Sequence, residues 1–271
     1  MLHLFRSLAE KMPNVAAAYR YGRDLRTFSK TQSVQNPLGF KFAGISLMQS
    51  GEYEKQEANL IKEYLANVDD FVDIGANTGY YLCLARSLGK RCYAFEPLEQ
   101  NLKYLYRNLL DNGWNDVEVF PVGLGREASL AVLYGASTGA SMISGWAGMP
   151  ASMRRVIAIN SLNALIGRRL ENRRVFVKID VEGYEWDVLS GASQLLTQTP
   201  RPTWIVEICF DEHHPQGINP NFQRVFELFW QHGYRCQIAH AENRIVTPTD
   251  VERWVSEKKC DAKAHNFLFS C

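Results

Sequence analysis

Four stretches of the chain set acidic or imidazole side chains where an extended run stops. "FVDIGANTGYY" (residues 71–81) closes an apolar run on Asp73 and places Gly75 and Gly79 four residues apart. "AFEP" ends on Glu96 and Pro97, and "KIDVEG" carries Lys178, Asp180 and Glu182. "WIVEICFDEHH" closes on Glu207 and continues into Asp211, Glu212, His213 and His214. Carboxylates and imidazoles at such points can take a proton from a reacting group. Glycines at 75 and 79 let a backbone bend sharply and let a ligand come close to it. Lys178 and Asp180, two apart on an extended segment, face the same side.

These residues need strands and helices to position them. From Glu52 onward, strand-like and helix-like runs alternate. Residues 52–66 have helical periodicity, "FVDI" reads as a strand and "YYLCLARSL" as a helix. "RCYAFE" is a strand, residues 98–112 a helix with Leu102, Leu105, Leu109 and Leu110 on one side, and "VEVFPV" a strand. Residues 127–160 break the pattern, with "LAVLY" and "RVIAI" around a loop of small residues that holds Ser137, Thr138, Ser141 and Ser144. Then come "VFVKID", the helix "YEWDVLSGASQLL", "TWIVEICF", the helix "NFQRVFELFWQHG" and "YRCQIA". "NFLFSC", read as having no helix before it, pairs as a final antiparallel strand. The pattern predicts an α/β fold: a doubly wound, mostly parallel sheet with helices on both faces. In such sheets ligands bind beyond the carboxyl ends of the strands, where the acids lie.

The loop after the first strand offers helix N-terminal N–H groups to a carboxylate. Glu96, closing the second strand, is placed to accept hydrogen bonds from two ribose hydroxyls. The glycine spacing lacks the close pair of a dinucleotide fingerprint, and Asp73 would repel a pyrophosphate. A ligand with an adenosine and an amino-acid end satisfies both features, which is the description of S-adenosylmethionine. On this reading Asp73, Gly75, Asn77, Thr78, Gly79 and Tyr80 hold the amino-acid end, and Glu96 with Pro97 the ribose. Gly123, with Val122 and Leu124, is expected to border the adenine, as the corresponding turn does in related folds. Asp180 belongs to both the cofactor and catalytic sets, and Glu182, Glu207, His213 and His214 complete the catalytic one. Tyr184 and Trp186 are expected to pack in the core. Gly75→Val is expected to block the ligand and spare the fold.

The chain has 271 residues, 46% of them apolar, and a net charge of +1. That balance gives no general attraction to nucleic acid or anionic membranes. Its six cysteines show no C-x-x-C spacing, which argues against a zinc knuckle and for packed, reduced thiols. The first residues carry too many charges for a signal-peptide core, and no apolar run reaches the roughly 18 residues of a membrane span. A cytoplasmic protein is expected. Residues 1–50 read as an N-terminal extension, with a first helical pattern at Leu4, Phe5 and Leu8, a second basic one after Pro13, and strand-like "LGFKFAGISL". The extension is expected to serve as a cover, with a lid or a homodimer contact as alternatives. No spacing enforces a metal site, and none is predicted, although Asp180, Glu207 and a loop histidine could offer donors to a divalent ion.

With "YEKQEANLI", "FVDIGANTGYY", "AFEPLEQN", "FVKIDVEGYEWDVLSGA", "WIVEI" and "NFLF" in this order, the chain resembles the FkbM family of class I methyltransferases over residues 50–271. "KIDVEGYEWDVLSGA" is the most specific of these stretches. The resemblance implies a Rossmann-like sheet of seven strands in residues 51–271, with "NFLFS" antiparallel. It implies methyl transfer from S-adenosylmethionine to an acceptor hydroxyl, on a sugar, glycolipid, polysaccharide or secondary metabolite. N-methylation of a small molecule, a nicotinamide-dependent oxidoreductase and a non-catalytic binding module on the same fold are the rival readings.

Overall fold

The structure, a computed structural model, describes residues 13–239 and 244–271. The pattern at Leu4, Phe5 and Leu8 lies outside the described residues. A helix at Pro13–Lys30 is followed by a small hairpin of β1 (Val34–Gln35) and β2 (Lys41–Phe42). The strand expected over "LGFKFAGISL" is only those two residues of β2, because Ser46–Gln49 turns into a helix.

After a helix at Lys55–Leu65 the main sheet begins with β3 (Asp70–Ile74), β4 (Arg91–Phe95) and β5 (Glu118–Phe120). β6 (Gly123–Leu124), β7 (Ser129–Tyr134) and β8 (Arg154–Asn160) form a separate three-stranded sheet from the irregular middle of the chain. The main sheet resumes with β9 (Val175–Ile179), β10 (Thr203–Glu207), β11 (Arg235–Ile238), β12 (Ile245–Val246) and β13 (Asn266–Ser270). Its order is β12-β11-β13-β10-β9-β3-β4-β5. All seven expected strands are present, and two-residue β12 adds an eighth at the edge. β13 runs antiparallel between β10 and β11.

The central strands are buried on both faces, so they read as unbroken apolar runs. Phe71, Phe176, Ile205 and Leu268 pack on one side with Leu82 and Ile61. Val72, Val177, Val206 and Phe269 pack on the other with Phe226 and Val188. Burying each such side chain fully contributes roughly 1.5–3 kcal/mol. Cys83, Cys92, Cys209 and Cys236 are buried thiols, and all six cysteines are free.

The 98–112 helix forms at Glu99–Asp111 and buries Leu102, Leu105 and Leu109. Leu110, expected on that side, is 74% exposed. The helix expected over "YEWDVLSGASQLL" is two short ones, Glu185–Ser190 and Ser193–Thr197. They separate at Gly191, where a Cβ would lie 2.1 Å from the Gly125 carbonyl oxygen. The expectation of no helix before the last strand is corrected. Pro248–Glu257 is helical, with a reciprocal cap between Thr247 and Asp250 and proline in its first turn.

The N-terminal segment shares the core of the rest. Phe40, Phe42 and Met48 lie in the same apolar cluster as Phe71 and Leu82. Asn108 donates to the carbonyls of Ala43 and Thr78 (3.1 and 2.9 Å) and accepts from the Ala43 N–H. This amide ties the segment to the glycine-rich loop. Among the described residues, no helix is long and apolar enough to cross a membrane.

Candidate active site

Parallel pairing brings the ends of β3, β4 and β9 to one edge. Asp73 lies opposite Ala94 on one side and Lys178 on the other. Beyond the strands the ladder continues: Gly75 N–H donates to Phe95 O (2.9 Å) and Asp180 N–H to Ile74 O (2.9 Å). A cavity of about 230 Å³ opens there. Its floor is made by Ile74, Gly75 and Asn77, and Val122, Gly123 and Leu124 form a wall. Thr138, Ala140 and Met142 come from the small-residue loop.

Five carboxylates face this cavity, those of Glu54, Glu96, Asp180, Glu182 and Glu207. No Lys, Arg or His is among the described residues of its wall. Such a cavity suits a ligand that carries positive charge and disfavours a pyrophosphate.

Glu96 is buried, and each of its oxygens accepts one main-chain N–H: Oε2 from Asn77 (2.8 Å) and Oε1 from Leu98 (2.7 Å). With a further hydrogen bond from the Asn101 side chain, three of its roughly four acceptor sites are used, and the remaining capacity is open to a hydroxyl donor. Burial pushes its pKa up to about 7, against those hydrogen bonds and one from Asn101. Pro97 and Asn101 flank it on the cavity wall.

Asp73 does not reach the main cavity. It lines an adjoining recess of about 30 Å³ with Thr78, Tyr80 and Lys178, and Tyr53, Gly75, Asn77 and Asp180 border both spaces. Asp73 accepts from the Leu82 N–H, while its Oδ2 is buried without a partner. Burial raises its pKa to about 7, opposed by Lys178. An unpartnered buried carboxylate oxygen beside the cavity fits the ammonium end of an amino-acid ligand. The residues present therefore fit S-adenosylmethionine, with its ammonium toward Asp73 and its ribose at Glu96.

Lys178 is 3% exposed. Its ammonium lies 2.8 Å from Asp180 Oδ2, 3.8 Å from Glu57 Oε1 and over the Tyr81 ring. Burial alone would lower its pKa, but Asp180, Glu57 and Asp73 hold it well above the usual lysine value. Glu207 has no cation within ion-pair distance among the described residues. Repulsion from Asp180, then burial, raises its pKa well above the carboxylate range. Glu182 sits at φ +53°. Its Oε2 accepts from the Trp146 indole N–H at 2.7 Å, and burial with Asp180 pushes its pKa to about 7.

Several expectations change. A Cβ on Gly75 (φ +82°) would lie 1.8 Å from the Asp180 carbonyl oxygen, so this glycine lets two strand ends meet, and Gly75→Val would not spare the fold. Gly79 (φ +84°) caps the Tyr80–Ser87 helix and packs on Leu105. Tyr80 is 2% exposed, with its ring edge-on to Phe42 and Tyr53, so it is chiefly a core residue that also borders the recess. Thr78 Oγ1 is spent on Met48 Sδ (3.6 Å). Neither His213 nor His214 lines the cavity; both rings lie against Trp146, at 5.9 and 6.1 Å. Tyr184 and Trp186 are only partly buried; Trp186 packs against the core as expected, with Arg224 over its ring, while Tyr184 is not among the core residues. Among the described residues no cluster of His, Cys, Asp and Glu is arranged to hold a metal ion.

Sequence reasoning missed Glu54, Asn101 and Trp146. Glu54 precedes its helix at φ +41° and accepts from the Tyr81 hydroxyl (2.7 Å). Its placement depends on contacts remote in sequence. Trp146 was the one aromatic side chain in a loop of mostly small residues and could have been singled out.

Solved structures similar to the chain include an O-methyltransferase of tomaymycin synthesis from Streptomyces achromogenes, at 12% identity, covering 79% of this chain and 78% of that one, with a TM-score of 0.42. A precorrin-6y C5,15-methyltransferase from Geobacter metallireducens has 15% identity, coverages of 72% and 78%, and a TM-score of 0.41. An rRNA methylase from Streptococcus thermophilus has 13% identity, coverages of 79% and 92%, and a TM-score of 0.40. Likenesses this distant do not bear on the acceptor. No curated protein matches the chain. The family model for the methyltransferase FkbM domain matches residues 73–236, from Asp73 near the end of β3 to within β11. The chain belongs to the FkbM family of S-adenosylmethionine-dependent methyltransferases.

Proposed function

We propose that the protein transfers a methyl group to a hydroxyl oxygen of an uncharged small molecule or glycan. The observation that carries this reading is the cavity wall of five carboxylates without a cation. Such a wall suits a cationic cofactor beside a neutral acceptor, and it disfavours phosphate-rich polymers such as nucleic acid. When bound, S-adenosylmethionine supplies a methyl group made electrophilic by its sulfonium.

On this reading the chain's own residues align, shield and deprotonate. Glu96 accepts the ribose hydroxyls and Asp73 the ammonium, while Val122 and Leu124 enclose the base. Lys178 is ion-paired with Asp180 at 2.8 Å, so the Asp180 carboxylate is already engaged. Glu207 has no ion-pair partner and a raised pKa, and in its ionised form it takes the proton that the acceptor hydroxyl loses, becoming the neutral carboxylic acid. A base placed in this way is worth roughly 100- to 10,000-fold in rate. Glu182 sits beside it and accepts a hydrogen bond from the acceptor. The N-terminal segment acts as a cover, since Phe40 and Phe42 seal the underside of the glycine-rich loop.

The test is to incubate the protein with methyl-labelled S-adenosylmethionine and extracts of carbohydrates and lipids, and to identify the labelled product. A base-stable ether on a carbohydrate or lipid hydroxyl is expected. Label on nitrogen or on nucleic acid, or binding of NADH in place of S-adenosylmethionine, would overturn the reading.

A further inference from the structure

We propose that Trp146 and Ser141, on the loop between β7 and β8, are positioning residues that hold Glu182 in place for the acceptor. The inference rests on the reading of Glu182 as acceptor-facing. Glu182 adopts left-handed backbone geometry (φ +53°), which a non-glycine residue keeps only when its surroundings hold it there.

The loop holds it twice. The Ser141 hydroxyl donates to the Glu182 carbonyl at 2.6 Å and itself accepts from the Ile143 N–H at 3.0 Å. The Trp146 indole N–H donates to Glu182 Oε2 at 2.7 Å. One carboxylate oxygen is thereby engaged, and Oε1 is left for a ligand.

The loop is itself anchored. Trp146 is 1% exposed and fits against Gly183, where a Cβ would lie 2.5 Å from the indole. Ala147 donates its N–H to the His213 carbonyl at 2.8 Å, and Gly145 packs on Pro215. The loop after β10 therefore buttresses the indole. This assigns His213 and His214 a place behind Trp146 in the chain of contacts.

The charged groups that bear on Glu182 are Asp180, Lys178, Glu54, Glu207 and Glu185. The rings of His213 and His214 lie against Trp146. Asp180 and Glu54 favour the protonated carboxyl, while Lys178 and the indole N–H favour the carboxylate. Removing the N–H leaves the first pair less opposed, so Glu182 should titrate at higher pH.

The test compares Trp146→Phe, Ser141→Ala and Glu182→Gln by kcat, acceptor KM, S-adenosylmethionine affinity and the pH profile of kcat/KM. Trp146→Phe is expected to lower kcat by up to roughly 100-fold, the cost of a misplaced group. It should also move the acidic limb of the profile to higher pH and leave cofactor affinity unchanged. Ser141→Ala keeps the indole, carries less risk of misfolding, and should lower kcat with cofactor affinity intact. If Glu182→Gln cuts turnover while both loop variants turn over normally with an unmoved profile, the positioning role is overturned and the reading of Glu182 stands. If Glu182→Gln itself turns over normally, that reading fails, and this inference with it.

Discussion

The two halves of the cavity treat their carboxylates differently. On the glycine-loop side, Glu96 accepts from the main-chain N–H groups of Asn77 and Leu98, held by the turn after β3 and the start of the Glu99–Asp111 helix. On the β9–β10 side, Asp180, Glu182 and Glu207 crowd one another around a single buried lysine. Glu96 is held in place before any ligand arrives, because its main-chain donors are fixed, whereas buried Asp73 Oδ2 still lacks a partner. The second half holds more negative charge than its partners neutralise. It gains most from a ligand that brings a cation, and its carboxyls are ready to carry protons.

The largest disruption of this division should come from Gly75, where the halves touch. Gly75→Val drives a side chain into the Asp180 carbonyl, and we expect no cooperative melting transition by circular dichroism. A folded variant that merely loses cofactor binding would place the glycine in the ligand's path and not at the strand junction.

Next in size is Lys178→Met, which leaves Asp180 and buried Glu57 without their cation. Removing one partner of a buried pair typically costs about 3–5 kcal/mol, read as a shift in denaturant midpoint. An unchanged midpoint would mean that the acids of this half do not depend on the lysine.

A smaller, graded effect is expected with pH. Asp73, Glu96, Glu57 and Glu182 are pushed to about 7 by burial, well above their unfolded values near 4. Between those values the folded chain holds more protons than the unfolded one. The contribution to stability is therefore full below about pH 4 and is lost as pH rises through about 7. Melting temperature of the ligand-free protein should fall from pH 5 to 7.5, and S-adenosylmethionine should offset part of the fall. A rising curve would contradict the burial of these acids.

What could be read in the sequence follows the same division. Asp73, Glu96, Asp180 and Glu207 stand at the ends of apolar runs, so local pattern and the strand-end rule were enough to find them. The separate roles of the glycines were not legible, since the atom that Gly75 avoids lies on Asp180, far along the chain. Trp146 and Glu54 join the site through a loop and a helix start whose positions depend on packing. His213 and His214 looked like bases because residue type was all that could be seen; their rings lie against Trp146. The helix at Pro248–Glu257 was legible and missed, since "TPTD" carries both the cap and the proline.

The most direct test is a crossed comparison of Glu96→Ala and Glu207→Gln in one study, with cofactor affinity measured by calorimetry and turnover at saturating S-adenosylmethionine. Glu96→Ala should weaken binding by about 1.5–3 kcal/mol, the value of hydrogen bonds to a charged acceptor, and leave saturated turnover nearly intact. Glu207→Gln should keep affinity and lose turnover roughly 100- to 10,000-fold. If Glu207→Gln turns over normally, or if Glu96→Ala binds the cofactor as the wild type does, the division of the cavity into a binding half and a proton-carrying half is wrong.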